Sequence, residues 1–223
     1  MTDRPILQTA ADVRAALAGR KTQARAVIKW QGPRGFPHSF ADAFVDNPAG
    51  VPRLLVPFHH PDEPCEWSEC QRHRHYGPYD PGDRLWVREA WRVEHRFNTH
   101  SPIPHDSAVQ YPADDPLSVW DSRLRPSTQL PRWSSRLTYI VKDVRVQRVQ
   151  DITEADAVAE GCDAVLALTI KRPNGAHPGN PRECYCDLWN SLHGPGAWDA
   201  NPWVVALTFD VVPANIDQIG GEE

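Results

Sequence analysis

The sequence predicts an α+β fold, a small closed β-barrel flanked or plugged by short helices, and three observations carry that prediction. Alternating or β-branched runs recur in separated blocks of the chain. Only three short helix patterns accompany them, each ended by a glycine. Two long irregular stretches, about 31–80 and 98–130, lie between the blocks and are far longer than ordinary loops, which makes them insertions that are functional or disordered. One domain over 1–212 with these insertions, and a flexible tail over 213–223, follows from this layout.

The first block opens with a helix that Thr9 caps. Asp12 sits in its first turn, and Val13, Ala16 and Leu17 form its apolar side. Gly19 suits the left-handed residue that stops it, and residues 26–30 then read as a strand. The second block, 81–93, is a tight Pro81–Gly82 turn feeding a strand whose side chains alternate between two faces. In the third, 131–136 runs into strands at 137–141 and 144–149; Thr153 then caps a short helix with Asp156 at its third position and Gly161 closing it. The fourth is a helix near 181–192 with Leu188, Trp189 and Leu192 on one face, followed by a buried-looking strand at 203–212.

Composition limits the function classes. A formal charge of -5 argues against holding nucleic acid mainly by coating phosphates, though a local basic groove is compatible with it. No apolar stretch approaches the roughly 18 to 20 residues that cross a bilayer, and residues 1–5 lack a secretory apolar core. The expectation is a cytoplasmic protein with no membrane partner and five mostly reduced cysteines. Cys184 and Cys186 are too close for an easy disulfide and read as free thiols. The 22 prolines mark long loops, and several of the nine tryptophans stand beside charged residues, as in core packing or in a base-stacking pocket.

Three groups of residues carry possible chemistry. Lys21, Thr22 and Arg25 crowd a helix-to-strand turn, which is either a solvated basic turn or a rigid platform aimed into a cleft. The segment containing Arg132, Trp133, Ser134, Ser135 and Arg136 could grip phosphate and stack a base, or pack on the barrel with its arginines paired to local acids. On the second-block strand Trp86 faces away from Leu85, Val87 and Trp91, whereas Glu89 shares their face; a buried Glu89 needs a partner such as Arg25 or Arg136. No cofactor is required. Cys65, Cys70, His73 and His75 in the first insertion are spaced within reach of a structural zinc, and reduced thiols beside surface histidines are the simpler account.

Five ordered matches, at 18–23, 81–89, 131–136, 151–157 and 201–204, resemble the ASCH domain of the PUA-like superfamily, most closely the larger phage and prophage ASCH-like proteins. The resemblance implies a PUA-like barrel that binds a nucleobase or nucleoside. Its characterised small bacterial members include an amidohydrolase that deacetylates N4-acetylcytidine. That enzyme uses a lysine and a threonine on the post-helix turn and a glutamate near the end of the later short helix. By register the lysine is Lys21 and the glutamate Glu160, while the threonine position holds Ala24, so a hydroxyl would come from Thr22 or Ser135. Lys21 would act as base if its pKa fell, or would steady negative charge if Glu160 keeps it protonated. The resemblance thus implies an amidohydrolase of N4-acylcytidines with Arg25, Trp86, Glu89, Arg132, Trp133 and Arg136 holding substrate. The rival readings are a non-catalytic RNA or single-stranded DNA module using the same cleft, and an ASCH-type ribonuclease.

Overall fold

The computed structural model describes residues 1–28, 44–46, 53–55, 79–93, 108–114, 123–163, 170, 172 and 175–220. Its main sheet is mixed and built from β1 (Asp3–Leu7), β2 (Gln23–Val27), β5 (Arg84–Arg88), β8 (Thr138–Arg148) and β9 (Trp203–Val212), in the order β1-β5-β8-β9-β2. Only the β1–β5 pair is parallel. Two small antiparallel ladders stand apart, β3 (Phe44–Asp46) with β4 (Arg53–Leu55) and β6 (Arg92–Val93) with β7 (Val109–Gln110). Three α-helices are seen among the described residues: α1 (Ala10–Leu17), α2 (Glu154–Ala159) and α3 (Pro181–His193). The fold is therefore α+β, as expected. Barrel closure is not seen among the described residues, because β1 and β2 are the two ends of the sheet; yet both border one cavity, so the sheet curls and leaves a gap between its edges.

Local chemistry sets the helix ends. The Asp12 amide donates to Thr9 Oγ1 while Asp12 Oδ2 accepts from the Thr9 amide, a reciprocal cap that fixes where α1 starts. Gly19 (φ +69°) and Gly161 (φ +95°) take the left-handed conformation that ends α1 and follows α2. Asn180 caps α3 through its side chain, with Pro181 preorganised in the first turn.

The main core lies between α1 and the inner face of the sheet, where alternate residues Leu85, Val87, Tyr139, Val141, Leu207 and Phe209 point inward. Tyr139 and Phe209 stack with ring centroids 4.0 Å apart. A second cluster seats α2 and α3 through Ala157, Cys184, Tyr185, Trp189, Trp198 and Val204. Trp91, Val93 and Leu130 form a third.

Several expectations need correcting. The strands expected at 137–141 and 144–149 are one strand, β8, bent by an irregularity between Val141 and Asp143 that lets it pair with β9 along its length. β2 starts at Gln23, earlier than expected, since pairing with β9 begins at once after the turn; residues 29–30 lie outside the described residues. Leu17 and Leu192 are exposed, and α3 buries Tyr185 and Cys184 beside Trp189 instead. Residues 213–220, expected as a flexible tail, are docked. Ile216 is fully buried, and the Asn215 side-chain Nδ2 donates to the carbonyls of Arg132, Trp133 and Ser135. No helix of the described residues is long and apolar enough to cross a membrane.

Candidate functional site

The turn after α1 and the end of α2 meet. Lys21 and Glu160 form an isolated antiparallel backbone bridge, and the Thr22 amide donates to the Ala159 carbonyl beside it. This main-chain contact brings the two side chains together. Lys21 Nζ donates to Glu160 Oε2 at 2.9 Å and to the Glu160 carbonyl at 2.9 Å, and lies 3.2 Å from Asp12 Oδ1. Lys21 is 4% exposed and Glu160 5%. Gly161 is packed so that an added Cβ would lie 3.4 Å from Ala15 Cβ and 3.8 Å from Lys21 Cβ, in a conformation that already disfavours any other residue.

A second cation holds the other side of the carboxylate. Arg25, its side chain fully buried on β2, donates from Nη1 to Glu160 Oε1 at 2.8 Å and stands 3.4 Å from Asp156 Oδ2. Asp156 also accepts from Gln23 Nε2 at 2.9 Å and from Arg145 Nη2 at 3.0 Å. The charges thus run Asp12, Lys21, Glu160, Arg25, Asp156, Arg145, alternating in sign, with the four central side chains buried and Asp12 and Arg145 partly exposed at the ends. Alternation is what makes this burial tolerable, because every ion has an opposite neighbour.

Electrostatics favours the charged form of Lys21. Burial disfavours its charge, but the Glu160 and Asp12 carboxylates outweigh burial and hold the ammonium above the ordinary lysine value of 10.5. Lys21 is therefore a charged donor at neutral pH rather than a base. Asp156 is likewise opposed by burial, yet hydrogen bonds from Arg145 and Gln23, with the charges of Arg145 and Arg25, bring it down to about 2.

The network opens on a cavity of about 380 Å³, within the range of small-ligand sites. Asp12, Lys21, Arg25 and Glu160 line it on one side, and Tyr185 and Trp189 of α3 on another. Three hydroxyl residues border it, Ser127, Thr9 and the buried Tyr185; Thr9 Oγ1 donates to Asp12 Oδ2 at 2.6 Å. Ala24 lies on the wall at the position where the resemblance implies a threonine.

Of the residues singled out from sequence, Lys21, Glu160 and Arg25 are brought together. The others are placed elsewhere. Thr22 is exposed and does not border the cavity. Ser135 is buried and spends its hydroxyl on the carbonyls of Val87 and Leu137, so it links β5 to the start of β8. Arg132 pairs with Asp3 and Asp217, tying β1 to the docked C-terminal residues. Trp133, partly buried on the same short helical turn, also does not border the cavity. Trp86 is partly buried with the Arg88 guanidinium 5.2 Å from its ring.

Glu89 is buried, as its alternation predicts, and its partner is Arg136, which donates from Nε at 2.8 Å and Nη2 at 3.1 Å. Burial raises the Glu89 pKa; Arg136 counters this without cancelling it, and Asp114 adds to the rise. Arg136 also pairs with Asp114 and lies 4.1 Å from the Tyr111 ring centroid. This cluster is separate from the cavity lining. The zinc candidates Cys65, Cys70, His73 and His75 lie outside the described residues.

Sequence reading missed the part played by Asp12, Tyr185 and Trp189. Asp12 reads as a cap residue and serves as one, but its second oxygen reaches Lys21. Tyr185 and Trp189 are four apart on α3, a spacing that puts both on one helix face and that was open to recognition. Comparison of the chain with protein-family models, with curated proteins and with solved structures yields no match.

Proposed function

We propose that the chain is a cytoplasmic PUA-like domain of the ASCH kind that binds a modified cytosine nucleoside in the Lys21 cavity and hydrolyses its N4-acyl amide. The observation that supports this best is the buried ammonium of Lys21, held beside the Glu160 carboxylate and bordering a cavity with aromatic rings on another wall. The gap between β1 and β2 is in keeping with a barrel-like sheet completed at its edges.

The step divides as follows. Leu188, Leu192 and His193 are the accessible part of the α3 wall, against which a pyrimidine can lie, and the buried Tyr185 and Trp189 rings back that wall from the core. The Lys21 ammonium polarises the acyl carbonyl and steadies the oxyanion, for which it must turn one of its three N–H groups from its present acceptors, Glu160 Oε2, the Glu160 carbonyl and Asp12 Oδ1. With Ala24 lacking a hydroxyl, the nucleophile is water. Glu160 takes a proton from it as the oxygen–carbon bond forms, then delivers that proton to N4 as the carbon–nitrogen bond breaks. Cytidine and a carboxylic acid result. Each Glu160 oxygen already accepts one hydrogen bond and keeps a lone pair for this exchange.

Incubation of the protein with N4-acetylcytidine, followed by the loss of the amide absorbance and the release of cytidine and acetate, tests the proposal. A second reading is favoured by the engagement of both Glu160 oxygens, which suits a rigid binding site. It is a non-catalytic module for RNA or single-stranded DNA, and salt-dependent binding without product would support it. Cut RNA in the same incubation would support a ribonuclease.

A further inference from the structure

A second cavity, of about 480 Å³, adjoins the one that holds Lys21, and the two share Leu7, Gln8, Ala24 and Arg25. It occupies the gap between the sheet edges. Apart from Arg88 and Thr128, its own walls are largely apolar: Pro5 and Ile6 on β1, Ala26 on β2, Leu207 on β9, and Tyr79. The two charged residues on it are already engaged. Arg25 turns its guanidinium to Glu160, and Arg88 donates to the carbonyls of Ser127 and Thr128.

Tyr185, Trp189, Leu188 and Leu192 border the first cavity and not the second, so the two spaces meet away from α3, at Leu7 and Ala24. Ala24 is 8% exposed and faces both spaces. Its methyl is the smallest side chain an ordinary strand position can carry, and a branched residue there would narrow the passage.

We propose that the natural substrate carries an apolar acyl chain longer than acetyl, which passes Ala24 and lodges in the cavity between β1 and β2. This rests on the amidohydrolase reading for the identity of the reacting group. With the ring against α3 and the carbonyl at Lys21, the chain beyond the carbonyl points towards the apolar cavity. Each methylene moved from water into such walls favours binding by about fourfold.

Binding can be separated from hydrolysis with N4-alkylcytidines, which have no amide to cleave. Titration calorimetry with N4-methyl-, N4-butyl- and N4-hexylcytidine should show affinity rising about tenfold or more from methyl to butyl. The same measurement on Ala26→Trp, which fills the second cavity from the exposed side of β2, should bring the butyl-to-methyl ratio back towards one. Parallel assays with N4-acetyl- and N4-hexanoylcytidine read turnover. Equal affinity for all three alkyl compounds in the wild type overturns the proposal, even if N4-acetylcytidine is hydrolysed. An unchanged ratio in a folded Ala26→Trp protein also overturns it. Rising affinity without any turnover keeps the apolar subsite and overturns the amidohydrolase reading alone.

Discussion

Lys21 donates from one ammonium to both the backbone carbonyl and the side-chain carboxylate of Glu160, a residue 139 positions away. The backbone bridge between the same two residues means that main-chain pairing, rather than side-chain flexibility, sets where the charges meet. Lys21→Met removes a buried cation and leaves Asp12 and Glu160 facing each other with only Arg25 to compensate. We expect a loss of about 3 kcal/mol, at the lower end of what breaking a buried pair costs, measured by urea denaturation.

Stability should depend on pH through opposite arms of the same network. Asp156 is lowered on folding from 3.8 to about 2, so the stability it contributes is present above pH 4 and is lost as pH falls from about 4 to 2. That contribution is about 2 kcal/mol. Lys21 is raised above 10.5, so its contribution is present below that pH and is lost only as pH climbs through the folded value. Denaturation midpoints from pH 2 to 8 should fall steeply at the acid end in the wild type and more gently in Asp156→Asn.

The Glu89–Arg136 pair offers a separate test of buried charge. Arg136→Met strands a carboxylate that is 2% exposed and should cost about 3 to 5 kcal/mol. Glu89→Gln with Arg136→Met should recover a large part of that loss, because no buried charge then lacks a partner. A double-mutant cycle in urea measures the coupling.

Asn215 anchors the C-terminal residues by donating to three carbonyls of the 132–135 turn. Asn215→Ala leaves those carbonyls without that donor and loosens the fully buried Ile216. The expected cost is about 2 kcal/mol, read as a lower midpoint in thermal unfolding.

The elements governed by short-range rules were legible in the sequence. The caps at Thr9 and Thr153, the glycines after α1 and α2, the alternation that buries Glu89 and the apolar run of β9 all follow from neighbours within a few residues. The Lys21–Glu160 meeting was reached through resemblance, since no local pattern links those positions. What stayed hidden depends on distant partners. β8 runs on through an exposed stretch because β9 pairs with it on both sides of the irregularity at Val141 and Asp143. Ser135 turns inward to the Val87 carbonyl, and the residues after Pro213 dock because Asn215 finds carbonyls some eighty residues away. Leu17 and Leu192 fit a helical stripe, but the narrow contacts of α1 and α3 with the core leave them at the surface.

The most direct test compares steady-state hydrolysis of N4-acetylcytidine by the wild type, Lys21→Met and Glu160→Gln, each first shown to be folded by circular dichroism. Turnover by the wild type and a fall in kcat of about a hundredfold or more in both variants is the expected result. No product from the wild type, or unchanged kcat in either folded variant, would contradict a catalytic role for the pair.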